Sequence, residues 1–234
     1  RYEMTPIQVF EFSNIMGFYL NSDKRLIRDA LLFVPRKFSK TTSVASLAIW
    51  DMLFGDSNAQ AYTAANSYEQ AQICFREIKN VLKGLDPKLK SFKLNRERIE
   101  FVNQKKADRS SFIRCLASDP DTLDGLNAST VIMDEYSQAD SADLYNVLTS
   151  SMGVRENPLT IIITTASDKN EAPFVSDLNY NKNVLLHEIG MSEKVNDRMF
   201  AHIFQPDIDD AEDDPHTWAK VQPHLGITIQ KDYY

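Results

Sequence analysis

Residues 34–42 of the chain read Val34-Pro35-Arg36-Lys37-Phe38-Ser39-Lys40-Thr41-Thr42. They lie between a continuous apolar run, Ala30–Val34, which is typical of a strand buried on both faces, and a predicted helix from Thr41 to Phe54. The start of a helix favours phosphate, because free backbone N–H groups and the helix dipole both point there. Lys40-Thr41 keep the end of the phosphate-loop pattern G-x-x-x-x-G-K-[ST], but valine and serine fill its two glycine positions. A basic turn before a helix would give the same pattern.

Two later strands each end in polar groups. Thr130–Met133 is an apolar strand followed by the adjacent carboxylates Asp134 and Glu135, as in a Walker B motif, in which an aspartate holds Mg²⁺ and a glutamate polarises water. Leu159–Thr165 is a buried strand that ends in hydroxyls. Because open α/β sheets bind ligands at the carboxyl ends of their strands, these groups are predicted to meet the turn at 34–42. The alternatives are an acidic helix cap for the first strand and an ordinary core strand for the second.

The rest of the chain alternates between strand-like and helical segments, which predicts an α/β fold with a mostly parallel central sheet flanked by helices. Residues 86–114 are predicted to form an edge hairpin, and residues 207–214, six of which are acidic, a loop. The remaining predicted helices are Tyr68–Leu82 and Ser141–Ser151. The remaining predicted strands are Gln60–Ala65, Phe112–Ala117, Val184–Ile189 and Phe200–Phe204.

Composition limits the class of protein. The chain has 234 residues, 43% hydrophobic and 25% charged, which is ordinary for a globular protein and excludes a disordered one. No apolar run has transmembrane length, so no membrane association is expected, and Cys74 and Cys115 are expected to be reduced thiols. Four scattered histidines do not suggest a zinc site.

Charge is distributed unevenly along the chain, whose net charge is −7. Residues 76–114 carry 12 basic and 5 acidic side chains, a net of +7, whereas residues 115–234 carry 7 basic and 21 acidic ones, a net of −14. Tight DNA binding needs clustered positive charge, so only the segment 76–114 could supply a basic face. A solvated helix and hairpin with scattered lysines explains the same composition.

The ordered set of motifs resembles the ATPase domain of the large terminase subunit of tailed bacteriophages, the motor that packages DNA. Residues 34–41 resemble its deviant Walker A motif, usually Pro-Arg-Lys-Asn-Gly-Lys-Ser, and Asp134-Glu135 its Walker B motif. Three further segments carry the resemblance: Met4-Thr5-Pro6-Ile7-Gln8 on the adenine side, Thr164-Thr165-Ala166-Ser167 as the coupling motif, and Trp218-Ala219-Lys220 with Pro223-His224-Leu225-Gly226 near the end of the ATPase module.

The resemblance implies a P-loop NTPase of the RecA/ASCE type, a Mg²⁺-dependent ATPase spanning residues 1–234 as a single domain. Residues 86–114 would be an inserted edge hairpin. Residues 206–234 would lead toward the family's nuclease domain, which this sequence does not contain, so nuclease activity is not expected.

The resemblance also implies site residues. Glu135, Lys40 and Arg36 would be catalytic, and Thr41 and Asp134 would hold Mg²⁺. Thr165 and Ser167 would sense the γ-phosphate. The nucleotide-binding set would be Gln8, which reads adenine, with Arg36, Lys37, Phe38, Ser39, Lys40, Thr41 and Thr42. The candidates for an arginine acting on a neighbouring subunit are Arg109, Arg114 and Arg155.

One departure from the family pattern concerns the phosphate loop. Phe38-Ser39 replace the usual Asn-Gly, and a residue other than glycine at positive φ costs free energy. We therefore expect either a different loop geometry or weaker nucleotide binding.

The implied partners are ATP, double-stranded DNA, the portal protein and the small terminase subunit. The resemblance implies a homo-oligomeric ring on the procapsid, although the isolated chain could be a monomer. It places the protein in the cytoplasm of the infected bacterial host. Two alternatives stay open: a RecA- or helicase-like nucleic-acid ATPase, and a P-loop interaction module that does not hydrolyse nucleotide.

Overall fold

The central element of the structure, a computed structural model that describes residues 3–21, 23–102, 110–116, 123 and 125–230, is an eight-stranded sheet. Its strands are β3 (Asp29–Phe33), β4 (Gln60–Ala65), β5 (Phe92–Leu94), β6 (Arg98–Phe101), β7 (Phe112–Leu116), β8 (Thr130–Asp134), β9 (Leu159–Thr164) and β10 (Met199–Ile203). The spatial order is β10-β3-β9-β8-β4-β7-β6-β5. The first six strands of this order are mutually parallel, and β6 and β5 add an antiparallel edge. The predicted α/β class with a mostly parallel sheet is confirmed.

Helices cover both faces of the sheet. They are α1 (Pro6–Gly17), α2 (Lys40–Phe54), α3 (Tyr68–Leu85), α4 (Asp143–Ser150), α5 (Pro173–His187) and α6 (Pro215–Val221). Apolar residues of α1, α2 and α3 pack into one core with one face of the sheet, and those of α4 and α5 pack into a second core on the other face. A two-stranded hairpin, β1 (Tyr19–Asn21) and β2 (Lys24–Arg25), stands apart from the main sheet.

The central strands divide their side chains between the two cores. In β9, Ile161 and Ile163 face the first core and Ile162 the second, as the two-residue period of a strand requires. In β3, Leu32 faces the first core and Leu31 the second. Strands buried on both faces therefore appear in the sequence as continuous apolar runs.

One predicted element is wrong. The segment Val184–Ile189 was expected to be a strand, but it lies mostly in the helix α5, which ends at His187. The apolar run at 184–186 belongs to a helical face, because buried Asn181 and Val184 lie three residues apart and Phe174 lies seven residues before Asn181. Pro173 at the first helical position marks the start of this helix.

Three elements were not predicted: α1, α6 and the β1–β2 hairpin. Both helices carry a start signal, since Thr5-Pro6 and Asp214-Pro215 each place an N-capping residue before a proline at the first helical position.

The other predicted elements are confirmed where the structure describes them. Of the hairpin predicted at 86–114, residues 92–101 form an antiparallel pair of strands at the sheet edge, residues 103–109 lie outside the described residues, and residues 112–114 belong to β7. Residues 207–214 form no helix or strand. Cys74 and Cys115 are buried free thiols. Within the described ranges, no helix has both the length and the apolar character needed to cross a bilayer.

Candidate functional site

The carboxyl ends of β3 and β8 bring the phosphate-loop lysine to the acidic pair. Lys40 is the first residue of α2, and its Nζ donates a hydrogen bond to Oε1 of Glu135. The same Nζ lies 3.5 Å from Oδ1 of Asp134. Because β9 is the only strand between β3 and β8, the two motifs open onto the same edge of the sheet. The predicted meeting of the turn at 34–42 with Asp134 and Glu135 is therefore seen in the structure.

Thr165, which directly follows β9, completes this cluster. Its hydroxyl donates to Oε2 of Glu135 over 3.3 Å. Ser137 fixes the turn after β8 to the end of β9, since its backbone N–H donates to Oγ1 of Thr164 at 3.1 Å and its hydroxyl donates to the Thr165 carbonyl at 2.9 Å. The two oxygens of Glu135 are thus held by different elements, Oε1 by Lys40 at the start of α2 and Oε2 by Thr165 directly after β9.

The environment of Asp134 suits a hard cation. Asp134 is only 5% exposed, and this burial raises the pKa of its carboxyl, although Lys40 opposes the shift. Its Oδ1 accepts no hydrogen bond from any residue that the structure describes. This buried carboxylate oxygen has the Lys40 ammonium beside it at 3.5 Å, and together with the Thr41 hydroxyl in the adjoining first turn of α2 it fits the oxygen ligands that Mg²⁺ prefers.

The loop backbone is strained where the sequence departs from glycine. Lys37 has φ 67° and Ser39 has φ 62°, both in the left-handed region, and Glu135 has φ 53°. Each such residue costs about 1–2 kcal/mol, and conformations of this kind concentrate at functional sites. Ser39 thus adopts a left-handed conformation of the kind that glycine favours, and weaker nucleotide binding stays a prediction.

Phe38 anchors this loop in the interior. Its side chain is 0% exposed, and its ring centroid lies 4.6 Å from that of His224 and 5.7 Å from that of Phe204. Burying a phenylalanine stabilises a fold by about 1.5–3 kcal/mol, which offsets the cost of one left-handed residue. The exposure of 0% covers the whole residue, backbone included, so a contact between Phe38 and a nucleotide stays a prediction.

The cluster borders an open cleft of about 860 Å³, within the size range of small-molecule sites. Its lining residues are Arg36, Lys37, Asn66, Ser67, Gln70, Glu135, Gln138, Asp140, Thr165 and Lys169. Four residues of the predicted set therefore face one space: Arg36, Lys37, Glu135 and Thr165.

Lys169 is a cleft residue that sequence reasoning missed. Its Nζ donates to the Gln138 carbonyl at 2.8 Å and to Oδ1 of Asp140 at 2.5 Å. Ser167 shapes the turn that presents it, because the Ser167 hydroxyl accepts from the backbone N–H of Lys169 at 3.1 Å. Among the described residues, no hydrogen bond joins Ser167 to the acidic pair, and its role as a sensor stays a prediction.

Gln8 lies beneath α2 and is 2% exposed. Its Oε1 accepts from the backbone N–H of Thr5 at 3.0 Å, and its Nε2 donates to the Ser43 hydroxyl at 2.9 Å. An adenine base would have to replace these contacts, so the reading of adenine by Gln8 stays a prediction. Thr42, also in the predicted set, donates to Oε1 of Glu77 at 3.4 Å.

The three arginines proposed to act on a neighbour have different positions. Arg155 donates to the backbone carbonyls of Asn58 and Asn127, which precede β4 and β8 at the opposite end of the sheet. Arg114 is exposed in the middle of β7. Arg109 lies outside the described residues.

Comparison with known proteins identifies the family. The profile described as "Terminase large subunit, ATPase domain" matches residues 6–183. The chain belongs to the terminase large subunit ATPase family. The match covers α1 and the strands and helices that build the cleft, but it ends before β10 and α6.

Curated relatives of this terminase ATPase chain are distant and longer. The large terminase subunit of Enterobacteria phage HK97 is 27% identical over 158 residues, which are 63% of this chain and 29% of the relative. Protein YmfN of Escherichia coli K12 is 29% identical over 110 residues, 47% of this chain and 23% of that protein. The chain thus spans less than a third of either relative.

Solved structures share the fold. The crystal structure of the HK97 large terminase has a TM-score of 0.78 at 21% identity, covering 99% of this chain and 45% of that one. The large terminase of a thermophilic bacteriophage, solved in complex with ADP, has a TM-score of 0.64 at 11% identity, covering 99% and 49%. The ATPase domain of the Thermus phage P74-26 large terminase has a TM-score of 0.61 at 19% identity, covering 86% and 81%.

Proposed function

We propose that this terminase ATPase chain is an ATP-hydrolysing motor domain that drives double-stranded viral DNA into a procapsid. The observation that carries the proposal is the convergence of Lys40, Asp134, Glu135 and Thr165 at one edge of the sheet, beside an open cleft. A related large terminase has been solved in complex with ADP, which supports nucleotide as the ligand.

Each side chain has a role that its position supports. Phosphoryl transfer depends on positioning and charge stabilisation, and the start of α2 offers backbone N–H groups and the Lys40 ammonium to the β- and γ-phosphates. A triphosphate would compete with Glu135 for Lys40, which would leave the carboxylate to accept a proton from water. Thr165 would hold that carboxylate in place, and Arg36 would add positive charge from the cleft wall.

We propose Mg²⁺ as the resident cation, held by Asp134 and Thr41. When bound, it would neutralise charge on the phosphate oxygens. ATPase activity should accordingly be lost in excess EDTA and return when Mg²⁺ is added.

The test compares Lys40→Ala and Glu135→Gln. Glu135→Gln should lower kcat by about 10²–10⁴-fold, because it removes the general base, while binding of a non-hydrolysable ATP analogue survives. Lys40→Ala should lower kcat by at least about a hundredfold and also weaken binding of the ATP analogue, because it removes the ammonium group that would contact the phosphates.

The matched controls, assayed without DNA, are Lys93→Ala and Glu100→Gln, which break the pair between exposed Lys93 and half-buried Glu100 on the edge hairpin (Nζ to Oε2 3.9 Å). Both should retain wild-type turnover. Full ATPase activity in either site variant would overturn the proposal. Failure of the wild-type chain to bind nucleotide would instead favour a P-loop interaction module.

We further propose the assembly that the family resemblance implies. Residues 1–234 would be one ATPase domain, with residues 206–234 leading toward a following domain. The chain would form a ring on the procapsid with the portal protein and the small terminase subunit, in the cytoplasm of the infected host. Arg109 and Arg114 are the candidates for the arginine that acts in trans, since the Arg155 guanidinium is already bound by backbone carbonyls.

A further inference from the structure

A C-terminal clasp, residues 222–229, lies against the phosphate loop. Gln222 is 1% exposed, and its Nε2 donates to the Arg36 carbonyl over 2.9 Å. His224 is 0% exposed, and its ring stacks on Phe38 with an interplanar angle of 5°. The turn closes on itself, since the backbone N–H groups of residues 227–229 all donate to the His224 carbonyl. The clasp therefore holds two residues of a loop that lies far earlier in the sequence.

A second route joins the clasp to the loop through side chains. The Thr5 hydroxyl donates to Oε1 of Gln8 at 3.2 Å and lies 3.1 Å from Nε2 of His224. The Thr5 hydroxyl has one proton, which it donates to Gln8. We therefore assign a proton to His224 Nε2, which donates to the Thr5 oxygen. From Gln8 the route continues through the Ser43 hydroxyl, which donates to the Ser39 carbonyl at 3.4 Å. The route thus ends on the strained serine of the loop.

The imidazole of His224 suits this role. Burial lowers its pKa, so the ring stays neutral around pH 7, and a neutral ring can stack on Phe38 without a buried charge. Its stacking partner Phe38 stands where the family's loop usually has asparagine. The stack is therefore a feature of this chain's own residues.

We propose that Gln222 and His224 are positioning residues that hold the phosphate loop in its nucleotide-binding conformation. A strained backbone persists only where its surroundings over-determine it, and the clasp contacts the loop on either side of left-handed Lys37 and through the relay at Ser39. The loop cannot relax without moving the clasp, and a phosphate that shifts the loop must shift the clasp as well. This inference rests on the proposed nucleotide site.

The test measures Mg²⁺–ATPγS binding by calorimetry and kcat/KM for ATP in the 234-residue chain. His224→Ala, which removes both the stack and the bond to Thr5, should weaken nucleotide binding and lower kcat/KM by about 10- to 100-fold. His224→Phe keeps the stack and should recover most of the loss. His216→Ala, in the first turn of α6 on exposed surface, is the matched control and should behave as wild type.

A second variant guards against a folding defect in His224→Ala. Gln222→Glu keeps the side-chain size but removes the N–H that reaches Arg36, and it should also weaken ATPγS binding at a temperature where thermal melting shows the variant folded. A clasp that only stabilises the fold would lower the melting temperature and leave nucleotide affinity unchanged in both variants.

Fluorescence gives a readout that a purely structural role would not move. The chain has two tryptophans, and Trp50→Phe leaves Trp218, whose carbonyl accepts from the backbone N–H of Gln222 at 2.9 Å. ATPγS should change the Trp218 emission in this background, and the change should disappear with His224→Ala. If the wild type and all clasp variants bind ATPγS with the same affinity, and ATPγS does not change the Trp218 emission, the clasp proposal is wrong. If the wild type binds no ATPγS, the nucleotide site itself is wrong.

Discussion

Ser39 adopts a left-handed conformation, φ 62°, at the position where the Walker A motif of this family usually has glycine. A side chain in this conformation costs about 1–2 kcal/mol, and replacement by glycine would remove that cost. Glycine also loses more chain entropy on folding, which would cancel about 0.5–1 kcal/mol of the gain. We therefore expect Ser39→Gly to raise the free energy of unfolding by up to about 1 kcal/mol, and the melting temperature by about 2–4 °C per kcal/mol for a chain of this size. Urea and thermal unfolding measure both quantities.

Ser46→Gly is the control for this change, because Ser46 lies inside α2. The same chemical substitution in a helix interior should destabilise by about 0.5–1 kcal/mol. Equal effects of the two variants would show that the conformation of Ser39 carries no strain.

At the scale of single residues, the part of the site that could be predicted is the part that lies next to regular elements. Lys40 and Asp134–Glu135 flank strands whose carboxyl ends must share one edge, so their meeting followed from topology. Lys169 and the surroundings of Gln8 could not be predicted, because they depend on a turn and on contacts with Thr5 and Ser43 that no local pattern specifies.

At the scale of elements, strands were predicted well where both faces are buried, because β8 and β9 are continuous apolar runs bounded by polar residues. The helix α5 was mistaken in part for a strand because its run at 184–186 is too short to reveal a period. The clasp was beyond prediction, since the stack of Phe38 on His224 joins residues from opposite ends of the chain.

The contact between α2 and the amino end of β8 predicts a pH dependence. Asp51 of α2 is 3% exposed and accepts from the Ser129 hydroxyl at 2.7 Å. Burial raises the pKa of its carboxyl, although the hydrogen bond from Ser129 opposes the shift. A raised folded-state pKa means that the charged form costs stability at neutral pH, and that this cost disappears as the pH falls through the folded pKa toward the unfolded value of about 3.9.

Asp51→Asn removes this charge while leaving an oxygen that can accept from Ser129. The variant should therefore be more stable than the wild type at about pH 8, and the difference should shrink as the pH falls toward about 4. Urea unfolding at a series of pH values measures it, with exposed Asp209→Asn as a control that should stay within about 0.5 kcal/mol of the wild type. A difference that grows on acidification would contradict the assignment.

At the scale of the whole molecule, positive charge collects at one edge. The end of α3, the loop after it and the β5–β6 hairpin carry five exposed cations: Lys83, Lys88, Lys90, Lys93 and Arg96. The DNA binding proposed above would need such a cluster in a chain with a net charge of −7, so we expect this edge to be the surface that meets DNA.

Replacing Lys88, Lys90 and Lys93 by glutamate should weaken DNA binding and reduce the slope of log K against log salt by up to about 0.9 for each lost phosphate contact. ATP turnover without DNA should not change. Lys24→Glu with Lys194→Glu, on exposed surface elsewhere, is the control for added negative charge. An unaltered salt slope in the triple variant would place the DNA on another face.

The account as a whole depends on where the triphosphate binds, and a crystal structure with Mg²⁺ and a non-hydrolysable ATP analogue tests this directly. We predict that the β- and γ-phosphates lie at the first turn of α2, with Lys40 moved from Glu135 onto phosphate oxygen and the cation beside Asp134. A nucleotide bound elsewhere, for example in the cavity of about 190 Å³ lined by Tyr145 and Asn181, with Lys40 still paired to Glu135, would contradict the account.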